Sequence, residues 1–118
     1  MKKLLFLVLA SCAISVAGNA QTKAQLTTKI STPTVQCDMC KKRIEEVLKR
    51  YDGVLTVNVN YRKKETTVKY LTDRTNEEII KTAIANAGYD ANEILATPDA
   101  YNMLPKCCKK PAEPAKKQ

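Results

Sequence analysis

The chain has no histidine, no tryptophan, a single phenylalanine and three glycines. Without histidine it has neither an imidazole base nor an imidazole metal ligand. It also lacks a Gly-rich phosphate loop and any Ser/His/Asp set, so no catalytic constellation is present and the chain is not expected to be an enzyme. Twenty Lys and Arg against twelve Asp and Glu give a formal charge of +8. No aromatic platform lies beside that charge, which argues against nucleic acid and for an acidic protein partner or an anionic surface. Beyond residue 17 no stretch is apolar enough to act as a stop-transfer segment.

What is present begins with a leader. Lys2 and Lys3 precede an apolar run from Leu4 to Ala17 that ends in the small residues Gly18-Asn19-Ala20. This is the pattern of a secretory signal peptide over residues 1–20, cut between Ala20 and Gln21, and it implies a periplasmic or otherwise exported protein. Leu9-Ala10-Ser11-Cys12 offers an alternative, a lipoprotein box that would anchor the protein to a membrane at Cys12. Only about six apolar residues would precede that cut, fewer than such leaders normally carry. Removing residues 1–20 leaves 98 of 118 residues, with 18 basic against 12 acidic, a net charge of +6. That length supports one small domain burying roughly 60% of its unfolded surface.

Hydrophobic period then gives the element order. Leu26, Thr28 and Ile30 alternate with Thr27, Lys29 and Ser31 as a half-buried strand ending near Pro33. From Cys40 the period lengthens: Cys40, Ile44, Val47, Leu48 and Tyr51 share one helical face, to about Arg50. After the Asp52-Gly53 turn, Leu55, Val57, Val59 and Tyr61 alternate as a second strand. Arg62-Lys63-Lys64 makes a hairpin connection, and Thr66, Val68 and Tyr70 form a third strand. Thr75-Asn76-Glu77-Glu78 reads as a capping box between Thr75 and Glu78. A second helix follows with Ile79, Ile80, Ala83, Ile84 and Ala87 inward and Gly88 as its stop. A fourth strand is expected from Tyr89 to about Leu95. The order β-α-β-β-α-β predicts an α+β ferredoxin-like sandwich, a four-stranded antiparallel sheet with two helices on one face, over residues 25–96. Residues 97–118 form a basic, Cys-Cys-containing tail, with a short helix or turn around Ala100 to Leu104 and disorder expected from Lys109.

The chemistry sits in two cysteine pairs. Cys37-Asp38-Met39-Cys40 is a C-x-x-C pair at the junction of the first strand and first helix, a spacing that lets two sulfurs converge on one ion. The positive end of the helix and the following Lys41, Lys42 and Arg43 favour the thiolate, the form that ligates metal. Two thiolates without imidazole select soft ions: Cu(I) first, with Hg(II), Zn(II), Cd(II) and Ag(I) admissible. Lys41 and Lys42 would offset the charge of a bis-thiolate centre and present a positive face to an acidic docking partner. Cys107 and Cys108 could add a third and fourth thiolate, as a structural zinc site would require. A strained vicinal disulfide, or bridges back to the first pair, account for them equally well.

Residues from about Ile30 to Ile94 resemble the heavy-metal-associated domain of copper chaperones, metal-transporting ATPase modules and the periplasmic mercury-binding protein. The matching residues are Cys37 and Cys40 before an amphipathic helix, Asp52-Gly53-Val54 leading into a strand, and Ala87-Gly88-Tyr89-Asp90 after the second helix. Thr34-Val35-Gln36 stand where the family's loop has Gly-Met-Thr, so glycine and methionine are both missing; Val35 is expected to fill the methionine's core slot. The resemblance implies metal binding at Cys37 and Cys40, a tuning role for Tyr89 beside the metal loop, and a metal-transporting ATPase or other metal-accepting protein as partner.

The bland readings are a Cys37–Cys40 disulfide or a thiol-disulfide exchange protein using the same C-x-x-C. The tryptophan and proline neighbours expected of a thioredoxin-type pair are absent. Met39 and Met103 carry thioethers, but a methionine near a helix start is more often packing than ligand.

Overall fold

The computed structural model describes residues 24–109. Three strands form one antiparallel sheet: β1 (Gln25–Ser31), β2 (Val54–Asn60) and β3 (Glu65–Leu71), in the order β1-β3-β2. Helices α1 (Asp38–Lys49) and α2 (Glu77–Asn86) contribute Ile44, Leu48, Ile80 and Ile84 to the same buried core as Ile30, Val59 and Val68 of the sheet. A short helix α3 (Pro98–Asn102) and a 3-10 turn (Lys106–Cys108) complete the described chain. No helix among the described residues is long and apolar enough to cross a membrane. Residues 1–20, including Cys12, and the tail beyond Lys109 lie outside the described residues.

Three of the expected apolar positions, Leu26 in β1, Leu55 in β2 and Ile79 in α2, are exposed instead. In β2 the pairing with β3 skips a residue between Val54 and Thr56, so Leu55 is the extra residue of a bulge. Val54 and Val57 pack against the core and Leu55 is left 43% exposed. On α2, Ile79 is also exposed, while Ile80, Ala83 and Ile84 are buried. The cap differs too. Asn76, not Thr75, is the N-cap: its Oδ1 accepts from the Ile79 amide at 2.9 Å. The Thr75 hydroxyl is buried without a partner.

The expected fourth strand is not formed among the described residues. Residues 91–94 make one isolated bridge, Ala91 with Ile94, around Asn92 at φ 50°. Asn92 turns there because asparagine tolerates the left-handed region that a strand forbids. It binds the end of β1 twice: its Oδ1 accepts from the Ser31 amide at 2.7 Å, and its own amide donates to the Ser31 carbonyl at 2.9 Å. The sheet is therefore three-stranded, and the last segment is pinned to it at one point instead of along a ladder. Lys81 fastens the same segment to α2, pairing with both Glu78 and Glu93.

Candidate metal centre

Cys37 occupies the N-cap of α1 with extended backbone, and its carbonyl accepts the first helical bond from Lys41 at 3.1 Å. Its sulfur thus lies at the positive end of the helix. Cys40, three residues on, points into the core with Ile44 and Leu48 at helical spacing. The two sulfurs are 3.2 Å apart.

The preceding loop is held from three sides. Val35 is fully buried, in the core slot expected for it. Thr34 is buried and its hydroxyl accepts from the Asp90 amide at 3.0 Å, which ties the loop to the segment after α2. A glycine could not make that bond. Lys64, in the left-handed conformation at the β2–β3 turn, donates its ammonium to the Val35 carbonyl.

The second cysteine pair arrives at the same place. Gly88 ends the α2 region at φ +104°, and a Cβ there would lie 3.0 Å from the Ala100 carbonyl oxygen and from Leu104. Its bareness lets Leu104 enter the core. The chain then turns at Lys106–Cys108, and the Gln36 side-chain amide donates to the Lys109 carbonyl at 3.1 Å. Cys37 Sγ is 3.6 Å from Cys107 Sγ and 3.8 Å from Cys108 Sγ, and the last two are 3.9 Å apart. An ion holding sulfurs at about 2.3 Å in a tetrahedron spaces them about 3.8 Å apart, so these separations suit a shared ion. Cys40 and Cys108, with Cα atoms 5.8 Å apart, are joined as a disulfide; Cys37 and Cys107 are free thiols. Cys37, Cys40 and Cys108 group as metal-capable ligands within 4.8 Å of one another.

Tyr89 is fully buried and its hydroxyl has no hydrogen-bond partner. Burial pushes its pKa up to about 12; Arg43 opposes this, and Cys37 and Cys107 add to it. Hydrogen bonding to Cys37, burial and the Cys37 charge push the Cys107 thiol up as well. Lys41 pairs with Glu45 at 3.9 Å and Lys42 with Asp38 at 3.1 Å, each an acid on its own helix. Arg43 is the member of the basic run whose charge acts on the Tyr89 hydroxyl. The sequence places Arg43 in the thiolate-favouring basic run without setting it apart from Lys41 and Lys42.

A three-stranded sheet under two helices, with a cysteine pair at the first strand-to-helix junction, is the architecture of a small metal-binding domain. The heavy-metal-associated domain pattern matches residues 29–90, and the chain belongs to that family. It is 33% identical over 66 residues to a copper-exporting P-type ATPase of Staphylococcus aureus, a match spanning 56% of this chain and 8% of the ATPase. Among solved structures it resembles the CopZ metallochaperone, at TM-score 0.55 and 27% identity over 56% of this chain and 98% of that one. It also resembles oxidized MerP from Ralstonia metallidurans CH34, at TM-score 0.56 and 25% identity over 58% and 96%. The domain is metal-binding and related to these proteins.

Proposed function

We propose that this protein binds Cu(I), or a similarly soft ion, through the thiolates of Cys37 and Cys40 when both are reduced, and carries or sequesters it without catalysing a reaction. The observation that supports this most is the 3.2 Å approach of the Cys37 and Cys40 sulfurs at a helix N-terminus, with only cysteines grouped there as metal-capable side chains among the described residues. Cys107 and Cys108 stand within reach to raise the sulfur count, which would turn an open transfer site into a tighter closed one. A four-thiolate shell would also admit Zn(II) or Cd(II). The Tyr89 hydroxyl is assigned to the ligand thiolates as a neutral donor, and Arg43, with Lys41 and Lys42 further out, gives the site its positive surround.

The working place is outside the cytoplasm, after removal of residues 1–20 or, alternatively, with anchoring at Cys12. The likeness to an ATPase module favours a metal-transporting ATPase or another metal-accepting protein as the partner that receives the ion. The rival reading is thiol-disulfide exchange, favoured by the Cys40–Cys108 bond. A carrier exchanges its ion with chelators and turns over dithiol substrates poorly, whereas a redox protein does the reverse. Chelator-competition titration of the reduced chain with Cu(I) and Zn(II), run beside a disulfide-reductase assay, separates them. Reductase turnover without metal uptake would discard the carrier reading.

A further inference from the structure

Burial sorts the four sulfurs into two pairs that cut across the sequence pairs. Cys40 and Cys108 are both fully buried and are joined to each other. Cys37 is half-buried and Cys107 exposed; both are free thiols, and their sulfurs lie 3.6 Å apart. Beside them, Met39 Sδ is 3.8 Å from Cys107 Sγ. Met39 is 54% exposed, so its thioether is not filling the core, which is the usual employment of a methionine at a helix start.

We propose that the chain holds a second soft-metal site defined by its oxidation state: with Cys40 and Cys108 bridged, Cys37, Cys107 and Met39 together bind one monovalent soft cation such as Cu(I) or Ag(I). The inference rests on the soft-metal reading above and adds to it a different ligand set in a different redox form. The half-buried Cys37 thiolate attacks a small-molecule disulfide and releases one thiol. Cys40, 3.2 Å away, displaces the second thiol from Cys37. Cys108 then takes Cys40 and frees Cys37, so the bridge forms with two protons and two electrons passed to the oxidant. The oxidant's own S–S bond breaks and it leaves as two thiols. Two thiolates and a neutral thioether match monovalent soft ions better than Zn(II). Oxidation of a lone C-x-x-C pair destroys its site. Here it removes Cys40 and leaves Cys37 with the solvent-facing sulfurs, so the ion shifts outward instead of being lost.

The test oxidises the full chain with oxidised glutathione, maps its disulfides by mass spectrometry and titrates it with Ag(I), which binds without electron transfer. The expected result is a Cys40–Cys108 bridge with one Ag(I) bound. Affinity should fall at least about 100-fold on Cys107→Ser and about 10-fold on Met39→Leu in that oxidised form. A Cys40→Ala, Cys108→Ala variant, its fold checked by circular dichroism, should bind one Ag(I) with no disulfide at all; the oxidised wild type decides alone if that variant does not fold. A bridged chain that takes no Ag(I), binding indifferent to Cys107→Ser, or a mapped Cys37–Cys40 or Cys37–Cys107 bridge would each overturn the inference. Binding by the reduced chain only would sink the second site and spare the proposed function; binding in neither form would sink both.

Discussion

The two cysteine pairs meet at one place but are brought there by different physics. Cys37 and Cys40 are set by a strand-to-helix junction whose helix buries Ile44 and Leu48, so their position is fixed by the same packing that makes the fold. Cys107 and Cys108 ride on a segment without a strand or long helix of its own. In the bridged form the Cys40–Cys108 bond holds it; once that bond is reduced it is held by Leu104 and Cys108 in the core, by the space at Gly88, by Thr97 donating to the Ala85 carbonyl and by Gln36 reaching Lys109. One pair is therefore structural in its placement and the other is conditional, docked by a few contacts that can be removed one at a time.

The sharpest way to break that contrast is to change one cysteine from each pair. Cys37→Ser should lower the reduced chain's Cu(I) affinity at least about 100-fold, and Cys107→Ser only about 10-fold, by chelator competition. Equal losses would mean that the four sulfurs act as one indivisible set. Next in size is the dock itself. Leu104→Ala removes a buried anchor and should cost about 2–3 kcal/mol in denaturant unfolding. Gly88→Ala drives a methyl against the Ala100 carbonyl and Leu104 at a positive φ, so it should also loosen the tail and reproduce the affinity loss of Cys107→Ser. If Cu(I) affinity stays at wild-type level in a chain whose tail has come free, the tail pair contributes nothing.

Tyr89 links the two regions. Tyr89→Phe relieves an unpartnered buried hydroxyl, so the metal-free protein should gain about 1 kcal/mol while ion affinity falls up to about 10-fold. A gain without the affinity loss would leave Tyr89 as core only. Its raised pKa also fixes a pH dependence. The folded state keeps the phenolic proton up to about pH 12, whereas the unfolded chain releases it near 10. The tyrosine's contribution is thus complete below pH 10 and lost between 10 and 12. The unfolding midpoint should drop across that window in the wild type and less in Tyr89→Phe. The smallest effect lies far from the site: Asn76→Ala should cost about 1 kcal/mol by removing the α2 cap, and Thr75→Val should be neutral or stabilising.

Period and spacing made most of this legible. The helical face Cys40, Ile44 and Leu48, the alternation Thr66, Val68 and Tyr70, and the stop at Gly88 all lie where the pattern put them. What was hidden depends on partners distant in sequence. Leu55 faces out because β3 sets the pairing register and forces a bulge, which no alternation within β2 reveals. The expected fourth strand gives way to a turn because Asn92 finds both partners on Ser31, 61 residues earlier. Asn76 takes the cap from Thr75 because helix phase, not the capping-box pattern, decides which side chain meets the free amide. Lys41 and Lys42 meet Glu45 and Asp38 four residues away on their own helix, a pairing the spacing did contain. That Cys107 and Cys108 return to Cys37 was open from adjacency alone, since tail docking depends on Leu104 and Gly88, which no local pattern ties together.

The most direct test of the central claim is the Cu(I) stoichiometry of the reduced chain and of two pair variants, Cys37→Ser with Cys40→Ser and Cys107→Ser with Cys108→Ser. The account predicts that the tail variant still holds one Cu(I), with weakened affinity, and that the first variant holds none at matched chelator concentration. Wild-type stoichiometry in the Cys37→Ser, Cys40→Ser chain would contradict it.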